Sequence, residues 1–303
     1  MAIELAWARL RKSLLRKLFP AYVEAMQAKR QGDCPSCKHD IIDSRDLKYT
    51  RNVCGYSFCP EDDPFAWRSR IGFARHGFAE MFLFTLTYLL LSSFCIGLAY
   101  EVTFLFWIPW IAITLVELEI LYFFRDPERD IPADADALVS PADGTITHIQ
   151  EVDEPEFGKA LRISIFLSIF NVHVNRCPFA AEVTDVRYFP GEYLDARKAE
   201  SAVRNEQLWI DMIVPSPPTP LPGGEGRKGR PLRLKQISGA IARRIVCWLK
   251  PGDAVKKGER IGMIKLGSRT DLLIPAESMG ELCVKIGDTV MGGSTVLLKF
   301  KHA

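Results

Sequence analysis

Apolar positions along this chain change texture twice. From Met81 to Tyr100 the sequence reads MFLFTLTYLLLSSFCIGLAY, 20 residues without a charge, enough helix to cross a hydrocarbon core of roughly 30 Å. VTFLFWIPWIAITLV (102–116) and ELEILYFF, ending at residue 124, follow after Glu101, interrupted by Pro109, Glu117 and Glu119. Together they predict a hydrophobic helical hairpin over 78–124, set in a membrane or buried in a soluble core. Ahead of it, residues 1–30 suit a basic amphipathic helix broken at Pro20. From Arg125 onward the pattern becomes short β-like runs separated by Gly, Pro and Asp. ALVS and TITHIQEV flank the turn PADG (141–144), LRISIFLSIFNVHVNR (161–176) reads as one long strand, and EVTDVRYFPG (182–191) follows. Only LDARKAESAVRNEQ (194–207) reads as helix in this half. The class is therefore α+β, with a mainly β domain over 125–303. PSPPTPLPGGEGRKGRP (215–231) has Leu221 as its only large apolar residue and predicts a disordered insertion between strands.

An internal repeat lies within the β half. GDAVKKGERI (252–261) and GDTVMGGSTV (287–296) match at Gly252/Gly287, Asp253/Asp288, Val255/Val290, Gly258/Gly293 and Ile261/Val296. Each unit reads as a Gly-Asp turn, a buried valine, a second glycine turn and a strand. This resembles the half-units of lipoyl- and biotinyl-type domains and predicts a barrel-sandwich core around a pseudo-twofold. The segment between the units, including Gly267 and Ser268, would then ride on a hairpin.

Charge narrows the partners. Lys and Arg number 39 against 37 Asp and Glu, a net charge of +2, which gives no argument for nucleic acid. Basic residues crowd the N-terminus (Arg9, Arg11, Lys12, Arg16, Lys17, Lys29, Arg30) and flank the hairpin: Arg68, Arg70 and Arg75 before it, Arg125 and Arg129 after it. The connection at Glu101 has none, so both ends of the hairpin are expected in the cytoplasm, at the inner face of the cell membrane. A cleaved signal peptide is not expected so far into the chain. Trp107 and Trp110 suit an interfacial belt. In a reducing compartment the eight cysteines are not read as disulfides. CPSC (Cys34, Cys37) and CGYSFC (Cys54, Cys59) instead resemble a small zinc ribbon over 31–62, with His39 as an alternative ligand. Cys95, Cys177, Cys247 and Cys283 sit in apolar contexts and read as core residues.

The stretch MIKLGSRTDLLIP (263–275) sets a serine directly after the glycine of a turn between two strand-like runs. FFRDPERDIP (123–132), VSPADGTI (139–146), NVHVNRCP (171–178), ISGAIARRIVCW (237–248) and GMIKLGSRTDLLIP (262–275) together resemble the phosphatidylserine decarboxylases, in their shorter membrane-hairpin form. The resemblance covers 78–303 apart from the insertion; the N-terminal helix and ribbon depart from it. It implies a proenzyme that cuts itself between Gly267 and Ser268, leaving large (1–267) and small (268–303) fragments that stay associated. Ser268 would attack the Gly267 carbonyl, and the resulting ester would eliminate to leave a covalent pyruvoyl group derived from Ser268. That ketone would form a Schiff base with phosphatidylserine and accept the electrons left by carbon dioxide, giving phosphatidylethanolamine. The resemblance also implies that His173 acts as base and Asp143 orients it. Arg269 is a candidate for the substrate phosphate or carboxylate, or a solvated strand-end charge. His148 reads as a surface or packing residue. An oligomer is compatible with all of this. Two alternatives stay open: a pyruvoyl decarboxylase of another amino-acid substrate, and a membrane-tethered lipoyl- or biotinyl-like module without catalysis. The latter would need a modifiable lysine at the hairpin tip, where this chain has Gly267-Ser268-Arg269 with Lys265 before it.

Overall fold

A computed structural model describes residues 2–32, 58–156, 158–198, 200–215, 229–240, 244–265 and 267–301. They form two compact units that divide between Pro127 and Glu128. The N-terminal unit is helical. Helices α1 (Ala2–Leu18) and α2 (Pro20–Ala28) meet at Phe19, whose extended φ of −139° breaks the helix ahead of the proline. The hairpin consists of α3 (Phe78–Glu101) and α4 (Trp107–Phe123). Both are long and apolar enough, with the short turns leading into them, to cross a membrane.

Polar residues inside the hairpin meet across a seam. Thr85 Oγ1 donates to Glu117 Oε1 (2.6 Å), Tyr88 Oη lies 3.3 Å from Thr114 Oγ1, and Trp110 Nε1 donates to Ser92 Oγ (2.7 Å). The steps of three and four residues along each helix keep these groups on one face. Leu90, Phe94, Ile108 and Leu115 stand exposed around the outside. An apolar exterior over a polar seam is the arrangement that lipid, rather than water, favours. Glu117, which interrupts the second apolar run in the sequence, is buried in that seam.

The second unit is β. Its largest sheet has eight strands: β2 (Gly144–Glu154), β3 (Gly158–Leu167), β5 (Ala181–Phe189), β6 (Gln207–Val214), β7 (Arg230–Ser238), β9 (Ala254–Val255), β11 (Ser268–Pro275) and β13 (Thr289–Val290). Across the sheet their order is β13-β2-β3-β11-β7-β6-β5-β9. A three-stranded sheet comprises β4 (Val174–Arg176), β8 (Arg244–Cys247) and β10 (Arg260–Lys265), with β10 in the middle. Another comprises β1 (Ala137–Val139), β12 (Met279–Leu282) and β14 (Val296–Phe300), with β14 in the middle. All of these strand pairs are antiparallel. Every residue of β11 is buried, with no alternation of inside and outside, because both faces of this central strand are covered. One apolar cluster joins Ile163, Ile165, Leu234 and Leu272 of the large sheet to Ile245, Cys247, Ile261 and Ile264 of a small one.

The repeat is visible as matched turns. Lys250 N donates to Asp253 Oδ2 (2.8 Å) and Lys285 N to Asp288 Oδ2 (2.9 Å). Gly252, Gly287, Gly258 and Gly293 all have φ between 77° and 94°, which non-glycine residues rarely adopt. A side chain at Gly293 would come within 3.7 Å of Gly258 Cα, so the two units meet at their second glycines. The architecture is a curled antiparallel sheet with these turns; the lipoyl-like barrel and the zinc ribbon are not established by it.

Three sequence expectations change. The run 161–176 is two strands, because Ser168 N and Oγ both donate to Asn171 Oδ1 (2.8 and 2.7 Å) and close a turn. Helix within 194–207 is reduced to α5 (Ser201–Arg204); Asn205 Oδ1 accepts from Leu194 N (2.9 Å), and its amide donates to the Leu194 and Ser238 carbonyls, pinning the rest as loop. Cys283 is exposed and Cys95 half-buried, whereas Cys177 and Cys247 are core residues; burial pushes the Cys177 thiol up to about 12. Of the proline-rich stretch, 216–228 lies outside the described residues. Its flanks pair as Val214↔Arg230, at the open end of the β6–β7 ladder.

Candidate active site

Gly267 stands where the chain leaves one sheet for another. β10 pairs with β4 and β8, whereas β11 pairs with β3 and β7. The Gly267–Ser268 bond is therefore at a crossing between packed layers and not at the tip of a hairpin, because consecutive strands here bond to different neighbours. Gly267 takes φ +67°, in the left-handed region where an L side chain is strained. A Cβ there would meet nothing within 4 Å among the described residues, so the backbone angle is the constraint seen.

His173 reaches this bond from the turn that follows β3. Its ring is fully buried. Nδ1 lies 2.9 Å from the Asn171 carbonyl, and Gly267 N donates to Nε2 at 3.2 Å. The carbonyl needs a donor and the amide an acceptor, which assigns the neutral tautomer with its proton on Nδ1. A ring nitrogen is thus held on the Gly267 amide, one peptide before the Gly267–Ser268 bond.

Ser268 begins β11 and pairs with Leu167 on one side and Ser238 on the other. Its side chain is wholly buried, and its Oγ has no hydrogen-bond partner among the described residues. A hydroxyl hidden from water and bonded to nothing has no competing interaction to break before it attacks. Gly239 approaches the same bond from the end of β7: a Cβ at 239 would fall 2.5 Å from the Gly267 carbonyl oxygen and 3.1 Å from its carbon. The sequence alone assigns Gly239 no task. The signal it offers is a glycine directly after a strand, which often marks close backbone approach.

Asp143 and Arg269 occupy other surroundings. Asp143 Oδ2 accepts from Arg129 Nη2 and Oδ1 from Gly292 N, both at 2.7 Å. These bonds join three segments of the β unit, the approach to β1, the β1–β2 turn and the second repeat. Arg269 is 1% exposed and, by strand alternation, points away from the face that carries Ser268. Its Nε donates to Asp271 Oδ1 (2.6 Å), and Nη2 donates to Ser164 Oγ (2.8 Å) and Asp271 Oδ2 (3.1 Å). Arg269 is thus held in a buried ion pair with Asp271 and is not a solvated charge.

Of the four cysteines expected to bind zinc, Cys34, Cys37 and Cys54 lie outside the described residues, as does His39. Cys59 Sγ accepts from Gln31 Nε2 at 2.9 Å. Among the described residues no group of three or more His, Cys, Asp or Glu side chains is placed to hold a metal. A hollow of about 300 Å³ lies toward the opposite ends of β6 and β7, bordered by Arg187, Asp211 and Arg233. Its cations are already spent: Arg233 pairs with Glu154, Glu156 and Asp211, and Arg187 with Glu156 and Asp211. The Arg187 hydrogen bond holds Glu156 down to about 2.

A buried serine thus directly follows a left-handed glycine whose amide is held by a buried imidazole. The family described as phosphatidylserine decarboxylase matches residues 118–298. A phosphatidylserine decarboxylase proenzyme of Rhodopirellula baltica is 41% identical over 257 residues, which are 84% of this chain and 100% of that protein. Proteins of the same name are 45% identical over 179 residues in Desulfotalea psychrophila (58% of this chain, 77% of that protein) and 39% identical over 204 residues in Symbiobacterium thermophilum (67% and 88%). This chain belongs to the phosphatidylserine decarboxylase family.

Proposed function

We propose that this chain decarboxylates phosphatidylserine to phosphatidylethanolamine, after making its own prosthetic group by cutting between Gly267 and Ser268. Family membership carries the reaction class, a carboxy-lyase of phospholipid biosynthesis made as a proenzyme. The observation that carries the self-cleavage is the buried, unpartnered Ser268 Oγ next to a left-handed glycine whose amide is held by His173. Attack of Oγ on the Gly267 carbonyl converts the amide to an ester. His173 Nε2, held on the amide of Gly267, serves as the base that takes up the released proton. Removal of the Ser268 α-proton then expels the Gly267 carboxylate and leaves dehydroalanine at the new N-terminus. Tautomerisation and hydrolysis yield the ketone.

The residues present suit a pyruvoyl group at position 268, because the parent hydroxyl is buried away from bulk water and directly follows the glycine whose amide His173 holds. Such a group supplies an electron sink for the carbanion left when carbon dioxide departs. Asp143 is proposed as the carboxylate that favours the charged imidazole once His173 takes up the proton. In this structure its oxygens are held by Arg129 and the Gly292 amide, with no bond to the ring among the described residues. The two fragments stay together because β11, which opens the small one, is paired on both sides with strands of the large one, β3 and β7. The apolar hairpin suits a lipid substrate, since acyl chains can stay in the bilayer while the head group enters the β unit; arginines at both of its ends favour the cytoplasmic face. A carrier role would need an open lysine, and Lys265 is buried. Zinc at Cys34, Cys37, Cys54 and Cys59 rests on spacing alone, and metal content of the purified chain decides it.

Intact mass under denaturing conditions tests the central claim. The natural chain should appear as two fragments divided after Gly267, with release of phosphatidylethanolamine from phosphatidylserine vesicles. Ser268→Ala should remain one uncut, inactive chain. An uncut natural chain that still decarboxylates the lipid refutes the assignment.

A further inference from the structure

Behind Ser268, the face of β11 that looks into the core is polar where a core should be apolar. Thr270 is the next residue on that face and pairs in register with Gln236 of β7. Gln236 Nε2 donates to Asn175 Oδ1 (2.6 Å) on β4, two residues beyond His173. All three side chains are fully buried. Yet Thr270 Oγ1, Gln236 Oε1 and Asn175 Nδ2 have no hydrogen-bond partner among the described residues. Exchanging oxygen and nitrogen in both amides leaves the same inventory, one free acceptor and one free donor, with a hydroxyl that can act as either. Left empty-handed in a dry core, such atoms are unfavourable, and apolar residues of the same shape would serve packing better.

We infer that Thr270, Gln236 and Asn175 form a water-binding subsite beside Ser268, and that its water completes the ketone. This rests on the self-cleavage proposed above. After the ester eliminates, the new N-terminus is an enamine that tautomerises to an imine, with nitrogen doubly bonded to the α-carbon of residue 268. Water must then add to that carbon: its oxygen becomes the ketone oxygen, and the nitrogen leaves as ammonia. The balance is one imine and one water in, one ketone and one ammonia out, with no oxidant or reductant. Ser268, Ser238, Thr270 and His173 are all closed to solvent, so the reacting water has to be bound beside them. A buried water needs two to four polar partners, and the subsite offers a donor, an acceptor and a hydroxyl. A water so placed sits on the core side of the α-carbon, the side on which Ser268 Oγ lay before cleavage.

Thr270→Val and Gln236→Met, singly and together, test this in the full chain made by cell-free synthesis. The time course is followed by intact mass and by hydrazide labelling of the ketone. Cleavage between 267 and 268 should proceed, but the small fragment should accumulate with nitrogen in place of the ketone oxygen. Ketone formation should slow by about tenfold or more, and Thr270→Ser should restore it. Should Gln236→Met fail to fold, the Thr270→Val and Thr270→Ser pair decides alone, since it exchanges one hydroxyl. Ketone formation at the natural rate in Thr270→Val overturns the subsite, and an uncut Thr270→Val chain does so as well, because it moves the hydroxyl to an earlier step. An uncut natural chain instead refutes the self-cleavage on which the subsite depends.

Discussion

Strand β11 carries polar residues on both faces, and the two faces treat them in opposite ways. On one side Arg269 and Asp271 share two hydrogen bonds, and Arg269 donates a third to Ser164. On the other, Ser268 and Thr270 are as deeply buried, and neither hydroxyl has a partner among the described residues. Burial is equal, so it cannot be what separates structure from chemistry. The difference lies in whether the group as a whole is already committed: Arg269 is bonded through Nε and Nη2, although its Nη1 has no partner among the described residues. A charge with a matched partner is locked, because separating it strands a carboxylate in a dry interior. A neutral hydroxyl can be left unpaired at a far smaller penalty, and so can be kept ready to react.

Substitutions on either face test this contrast. The largest effect belongs to the reactive side: His173→Gln should slow self-cleavage by roughly 10²–10⁴-fold with little change in thermal stability, read as uncut chain over time. Unfolding at the same denaturant midpoint with fast cleavage would show that the ring is not the base. On the locked side, Arg269→Met should destabilise the chain by about 3–5 kcal/mol, because Asp271 is left charged and buried. Adding Asp271→Leu should recover most of that loss in a denaturant titration. If the single variant is as stable as the natural chain, the ion pair is not what holds this face.

Smaller effects sharpen the picture. Gly239→Ala places a Cβ 2.5 Å from the Gly267 carbonyl oxygen, forcing the bond to move; self-cleavage should slow by about 10- to 100-fold. Equal rates would mean that the carbonyl has room to shift harmlessly. The smallest effect is at His148, on β2 opposite Ser164. Desolvation, followed by the charges of Arg269 and Arg162, lowers its pKa. Its contribution is therefore fully present above the unfolded value of about 6.5 and is lost as pH falls from there toward the lower folded value. His148→Gln should flatten the stability profile over that window, measured by thermal melts from about pH 7 down to about pH 5. An unchanged slope there would remove the ring from the pH dependence.

Much of the chemistry is legible in the sequence because it is local. Gly267-Ser268 is a dipeptide, and the tandem Gly-Asp turns announce themselves through residues that few conformations tolerate. His173 stands out as the sole histidine in its block. Its turn does not: the pattern of 161–176 alternates without a break, and only the Ser168–Asn171 hydrogen bonds divide it. Arg269 reads as solvated or substrate-facing for a similar reason. A strand-end arginine looks the same in sequence whether its face is open or covered, and the cover is supplied by distant segments.

The amino-acid order by itself determined the apolar hairpin, the β texture and the reactive glycine–serine pair, since each depends on residues within a few positions of one another. Tertiary structure decided which sheet each strand joins, and thereby that the peptide at Gly267 crosses between layers beneath His173 and Gly239. It also decided which buried polar atoms found partners, because pairing depends on groups brought together from distant strands, such as Asn205 with Ser238 and Arg269 with Ser164. Hydrogen bonding has the reach of a single contact, and no pattern along the chain records which contacts folding will complete.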